Sequence, residues 1–275
     1  MSFWRVQQPF SFDKPILKAP DHESTEALTI YDTEVSLDTT GKKVVPAGLF
    51  IARVNGVSRF LPRVNTTEDA ASGDTAIKVD LQQVLKVGDV LQLLEQKAVL
   101  TMGGTFVVDD YVYLTFQTGS FAYKVTGTTP AAVATGLAGY INANRQIEAR
   151  AVASAATVEL YSVLGGPVTL SNNSAAGTTV VTTPYAQQGF IGPISAINYE
   201  TSMVTVPALA AALPAGSKVG VPTDEILGFH IHAIDFTYRD SCMVNAIHGA
   251  EAVYTDSFPY LDSSIRAQFP KIKFD

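Results

Sequence analysis

The sequence predicts a mainly β chain: a small β-barrel module split along the chain, with an inserted small α+β domain and an extended N-terminal arm. Three observations point there. Short runs of β-branched and aromatic residues are punctuated by Gly, Pro and Asn, as in GKKVVPAGLFIARV at 41–54. Residues 101–190 shift in composition, with only seven charged side chains among abundant Thr, Ala, Gly and Val, which marks a domain boundary. Residues 1–40 carry Pro9, Pro15 and Pro20 among aromatics of no regular period.

In chain order, the arm comes first. Proline removes a backbone donor and blocks helices and inner strands. Phe3, Trp4, Phe10 and Phe12 are therefore expected to lie across a neighbour, with wrapping of their own domain as the alternative. Next, Val44 and Val45 open a strand that breaks at Pro46-Ala47-Gly48 and resumes at Leu49–Val54. Asn55-Gly56 turns it back through Val57–Leu61 to Pro62, the strongest short hairpin signal in the chain. Ala76, Ile77 and Val79 predict another strand, and Val87, Val90, Leu91 and Leu93 a further one behind a Gly88-Asp89 corner. Residues 191–222 repeat the strand, turn, strand theme through Met203–Val206, Pro214-Ala215-Gly216 and Lys218-Val219-Gly220. The two stretches are expected to close one barrel, built from 41–100 and 191–240.

The insert, 101–190, predicts strands at Thr105–Phe116, Phe121–Val125, Pro167–Leu170 and Thr178–Thr183, and a hairpin at 147–163. TTPAAVATGLAGYINAN at 128–144 predicts the best helix. Thr129 is its N-cap, Pro130 its first turn, and Val133, Leu137, Tyr140 and Ile141 share one face. A strand is expected over 226–238, followed by a tail at 241–275 rich in Pro and aromatics.

Bulk properties narrow the function. The apolar fraction of 47% fills a real core, and the lone Cys242 excludes an internal disulfide. No signal-peptide core is present, and no stretch approaches the ~20 apolar residues of a membrane helix, so a soluble product of the cytosol without a membrane partner is expected. A formal charge of −7 argues against a nucleic-acid partner, because phosphate binding needs clustered cations. Yet the charge is uneven. Lys42, Lys43, Arg53, Arg59 and Arg63 meet no acid between residues 39 and 64, whereas 191–275 hold nine acids against five bases. Such polarity suits contact between identical subunits or seating on an acidic lattice; a solvated hairpin face is the alternative.

Groups that could carry chemistry are sparse. On one strand His230 and His232 would share a face about 7 Å apart, with Asp224, Asp235 or His248 completing a set, although an ordinary half-exposed strand accounts for them too. Asp109-Asp110 and Asp224-Glu225 are sequence neighbours, which a strand sends to opposite faces. No nucleophile elbow, phosphate loop or dinucleotide fingerprint occurs, and Cys242 reads as a structural thiol. The chain is accordingly expected not to be an enzyme, with no catalytic, cofactor-binding or metal-binding residue assigned. Phe229, Phe236 and Tyr238 read as core, and Phe258, Tyr260 and Phe269, beside Pro259 and Pro270, as subunit contacts, with core packing as the alternative.

Four segments also carry a resemblance. VPAGLFIARV with its hairpin and FLPR, then GDTAIKVD and LKVGDVL, then IGPISAINYETSMVTV and LPAGSKVG, resemble the head-decoration (capsid cement) proteins of tailed bacteriophages. The insert, from FAYKVTGTTPAAVATGLAGYINAN to VELYSVLGGPVTLSN, is similar to a small α+β module of many phage structural proteins. Together they cover about residues 41–222. The resemblance implies a β-tulip-like decoration module and a structural virion protein on the outer capsid surface. It would be a homotrimer at local three-fold positions, with the major capsid protein as its partner and no cofactor. The contacts it implies fall on the arm (Phe3, Trp4, Phe10, Phe12) and the basic hairpin (Lys42, Lys43, Arg53, Arg59, Arg63), to which the reading of the tail adds Phe258, Tyr260 and Phe269. Loss of residues 1–38 is then expected to leave a folded chain that no longer binds heads. A phage tail or baseplate component, and a carbohydrate- or metal-binding surface protein, remain the alternatives.

Overall fold

The computed structural model describes residues 24–116, 119–144, 146–147, 149–162, 168–187, 189–250, 253–254, 258–259, 261 and 263–274. The chain is mainly β, as its short alternating runs predict. Strand β1 (Ser24–Tyr31) lies antiparallel along the whole of β21 (Ser241–Gly249) and buries Leu28 and Ile30, with Val35 following them into the core. The arm expected over 1–40 is thus corrected from Ser24 onward: alternate apolar residues in ALTIY give that stretch a face to bury. A cut at residue 38 would strip an edge strand and part of the core. Phe3, Trp4, Phe10 and Phe12 lie outside the described residues.

Strands β2 (Val44–Val45), β3 (Phe50–Val54), β4 (Val57–Phe60) and β5 (Arg63–Asn65) come next. Asn55 (φ 51°) and Gly56 (φ 79°) both adopt the left-handed conformation that a two-residue hairpin needs between β3 and β4. The Gly56 amide donates to Asp224 Oδ2 at 3.0 Å, tying down the tip. β6 (Ala76–Lys78) and β7 (Val90–Leu93) complete the first part of the base. Its second part is β15 (Phe190–Pro193), β16 (Ala196–Asn198), β17 (Met203–Thr205), β18 (Lys218–Gly220), β19 (Glu225–Phe229) and β20 (Ile234–Asp235). The two parts do pair across the insert, β6 with β17 and β7 with both β15 and β18. The barrel, however, does not close among the described residues. The strands run in separate open sheets, ordered β1-β21-β19-β3-β4, β15-β7-β18-β5, β16-β17-β6 and β2-β20. Three- and four-residue strands, interrupted at Pro207 and Pro214, are too short to carry one continuous ladder around a closed wall. Their inward side chains meet instead in a shared core running from Leu28 to Leu93 and from Ile191 to Ala246.

The insert has its own cluster. β8 (Gln96–Thr105), β11 (Arg150–Ser154), β12 (Thr157–Ser162) and β14 (Ala176–Gln187) form one sheet, and β9 (Tyr111–Phe116), β10 (Gly119–Lys124) and β13 (Thr169–Asn172) another. Helix α1 (Pro130–Ala143) packs Val133, Leu137 and Ile141 with Leu100, Val112 and Val158. Its N-cap is Thr129, which accepts from the Ala132 amide, and Pro130 opens the first turn, as the sequence predicts.

Two C-terminal expectations are corrected. The strand expected over 226–238 stops at Phe229, because a register shift at Gly228 precedes it and His230 turns to bond the Leu49 carbonyl. The described residues of 241–275 do not form a tail. β21 sits inside a sheet, and Pro259 and Pro270 lie at turns that fold Phe258, Ile265, Phe269 and Ile272 over Phe50, Ala52 and Phe229. β3 is therefore buried on both faces, Ile51 and Val54 on one core, Phe50 and Ala52 on the other. The short helix α2 (Ser263–Arg266) belongs to this cover.

Candidate functional site

The five basic residues expected on one docking face are dispersed. Lys42 is exposed, Lys43 bonds Asp32 at 2.9 Å, and Arg53 pairs with Glu225 beside the hairpin tip. Arg63 is half-buried on β5, opposite Gly220. Arg59 is 1% exposed and turns inward. Its guanidinium grips Asp89 with two bonds (2.7 and 2.8 Å) and the Val84 carbonyl at 2.8 Å, while its Nε lies 3.7 Å from Glu34. Lys86 completes the group on both Glu34 oxygens, at 2.6 and 2.7 Å. Glu34 and Asp89, far from the hairpin in sequence, neutralise a charge that the local composition leaves unpaired. Arg59 is thus a structural staple and is corrected as a surface contact.

The aromatic contacts divide likewise. Phe258 and Phe269 are buried within the chain's own C-terminal cluster, their rings 5.4 and 5.9 Å from Phe50. That placement puts them in the core and corrects their reading as subunit contacts. Tyr260 lies outside the described residues.

His230 and His232 do not share a face. His230 is buried against the Phe60 ring and bonds the His232 carbonyl through Nδ1 at 2.7 Å, whereas His232 is exposed. A carbonyl only accepts, so Nδ1 carries the proton, and Nε2 is buried without a hydrogen-bond partner. Burial pulls the imidazole down to about 4 from an ordinary value of 6.5. Between those values the unfolded chain binds a proton that the folded chain refuses, so stability falls as pH drops from 6.5 towards 4. The expected loss approaches about 3 kcal/mol, from 1.36 kcal/mol per pH unit. His230→Phe should flatten that part of the acid side of a urea-unfolding series; an unchanged acid slope would show that protonation elsewhere controls it.

The carboxylate pairs also separate. Asp109 pairs with Lys124 at 2.8 Å and Asp110 accepts from Ser174 Oγ at 2.7 Å. Asp224 holds the hairpin tip and Glu225 takes Arg53. Cys242 is half-buried against the main core. Among the described residues, no group of three or more His, Cys, Asp or Glu side chains could hold a metal ion, and no helix is long and apolar enough to cross a membrane.

What the structure does assemble is a fixed joint and an apolar cleft. At the joint, Arg150 of the insert bonds buried Glu95 at 2.9 Å and Ser217 Oγ of the base at 3.2 Å, with its guanidinium 4.1 Å from the Tyr161 ring. Burial and a hydrogen bond to Glu159 push the Tyr161 hydroxyl well above the ordinary range. Burial works against the Glu159 charge, but the bonds from Lys97 and Tyr161 prevail and hold its carboxyl below the usual value. Nearby, Phe190 is 67% exposed beside a cleft of about 220 Å³ lined by Leu93, Ile191, Leu209 and Leu213. Tyr31, Tyr238 and Met243 add further exposed apolar groups at 55%, 93% and 73%. The sequence reading singles out none of Phe190, Tyr31 and Met243, and its placing of Tyr238 in the core is corrected: the strand expected over 226–238 has ended, and Tyr238 sits in a turn beyond β20. The signal for Phe190 was its isolation between Gly189 and Gly192 at the end of the insert, where no alternating partner explains an aromatic.

No known protein family matches the chain, and no curated protein does. Among solved structures, one from Mycobacterium phage Patience aligns over 83% of this chain and 98% of that chain, at 11% identity and a TM-score of 0.20. A likeness of that size carries no argument about fold or function.

Proposed function

We propose that the chain is a non-enzymatic structural virion protein, a capsid decoration or cement protein that binds the outer surface of a phage head as a trimer and stabilises the shell. The observation that carries this reading is that the segments resembling decoration proteins, separated by about a hundred residues, pair directly with one another as β6–β17, β7–β15 and β7–β18. The resemblance thus falls on one folded unit. Exposed Phe190, Tyr238 and Met243 support a surface that meets protein, and the net charge of −7 suits a position away from packaged DNA. Weak contacts of this kind gain strength when three subunits engage several capsomers together. The partners are the major capsid protein and other copies of the chain; the protein is synthesised in the host cytoplasm.

The test is sedimentation of purified protein with heads that lack it, followed by cryo-electron microscopy. Saturable binding, with density on the outer shell at three-fold positions, is the expected result. Density on the tail would replace this reading with that of a tail or baseplate component, and absence from both would end it.

A further inference from the structure

The cleft beside Phe190 is open to the surface. Every residue lining it is apolar, and its volume of about 220 Å³ exceeds the ~150 Å³ at which a cavity in another protein takes up benzene. It suits a ring larger than phenyl. It also opens where the insert rejoins the base, a place held firm by Arg150, Glu95 and Ser217. We propose that this cleft receives the side chain of Trp4 from a neighbouring copy of the chain.

Three features favour that occupant. Trp4 is the only tryptophan, and it belongs to a segment with three phenylalanines and few charges before residue 13. Apolar rings so placed need a surface to cover them. Twenty residues separate Trp4 from Ser24, where β1 begins, a span of up to ~65 Å when extended. Pro9, Pro15 and Pro20 bias the backbone towards extension. A folded chain of this length has a radius of gyration of only ~19 Å, so a segment of that reach is long enough to cross its own subunit and meet a neighbouring copy. The inference goes beyond the proposed function by naming an arm, a pocket and a subunit exchange, and it is tested in solution without heads.

Because the chain has one tryptophan, its fluorescence reports the site directly. Full-length protein at micromolar concentration should emit at short wavelength and resist acrylamide quenching. Dilution should shift the emission to the red in step with loss of oligomer mass by light scattering. Ala211→Glu and Phe190→Ser, both at exposed positions, should keep the circular dichroism of the native fold but abolish the short-wavelength emission and the oligomer. Solvent-like emission in the native protein would overturn the proposal. So would short-wavelength emission that both variants retain, which would place the ring elsewhere, or one that survives dilution in a monomer, which would place it in the subunit's own cleft. Failure of head binding with all these results intact would remove the shell reading and leave this one standing.

Discussion

Arg59→Ala should lower the unfolding free energy by about 3–5 kcal/mol, the usual cost of removing one partner from a buried ion pair. Arg59 is 1% exposed, and its two strongest partners, Asp89 and the Val84 carbonyl, are buried with it. Removal leaves two carboxylates, Asp89 and Glu34, in a space where, among the described residues, Lys86 is the cation left to compensate, and Lys86 is itself 38% exposed. Typical domains have only 5–15 kcal/mol in total, so the loss is a large fraction. Urea unfolding followed by circular dichroism measures it through the midpoint. Arg59→Lys keeps the charge but not the two-pronged geometry, and should fall between wild type and alanine. A midpoint for Arg59→Ala within error of wild type would show that Glu34 and Asp89 tolerate burial without it. The same network ties β4 to the turn before β7 and to Glu34, just after β1, so its loss should be felt across the main core.

Much of this architecture was legible because it rests on short-range signals. Asn55-Gly56 fixes a hairpin by φ preference alone, and Thr129-Pro130 fixes a helix start by satisfying or lacking a single amide. Composition separated the insert, whose side chains form their own cluster around α1. What escaped was long-range. The β1–β21 ladder joins residues more than two hundred positions apart, and nothing in ALTIY says that its partner is SCMVNAIHG. Prolines near the ends were read as breakers of structure, although Pro259 and Pro270 act by turning the chain back on itself. Among the described residues the barrel does not close, for a related reason: alternation predicts that strands exist, while closure depends on strand length and register that three-residue strands cannot supply.

The contact residues were less legible than the fold. A cation on a predicted strand looks solvated until its partner is known, and both partners are remote in sequence, Asp89 well after Arg59 and Glu34 well before it. Paired histidines looked like a ligand set only while the strand was assumed to run past Phe229. Conversely, Tyr238 reads as core in the sequence and is 93% exposed.

The C-terminal aromatics offer the other large effect, and it separates two views of the same residues. Phe50 is 1% exposed and touches three rings: Phe229 edge-on at 6.0 Å, and Phe258 and Phe269 face-on at 5.4 and 5.9 Å. Phe50→Ala should cost about 3–5 kcal/mol, the transfer free energy of the ring plus the cavity it leaves. Phe258→Ala should approach it, since Phe258 also meets Phe229 at 5.0 Å and Phe274 at 6.1 Å. Because these contacts lie within one chain, the destabilisation should be the same at every protein concentration, and amides of residues 263–274 should lose hydrogen-exchange protection together. A subunit contact behaves otherwise: truncating it weakens association and leaves the dilute monomer unchanged. If Phe258→Ala alters only the oligomer, with unfolding of the dilute chain unaffected, then Phe258 and Phe269 cover a neighbour and not the β3–β19 face on which they lie.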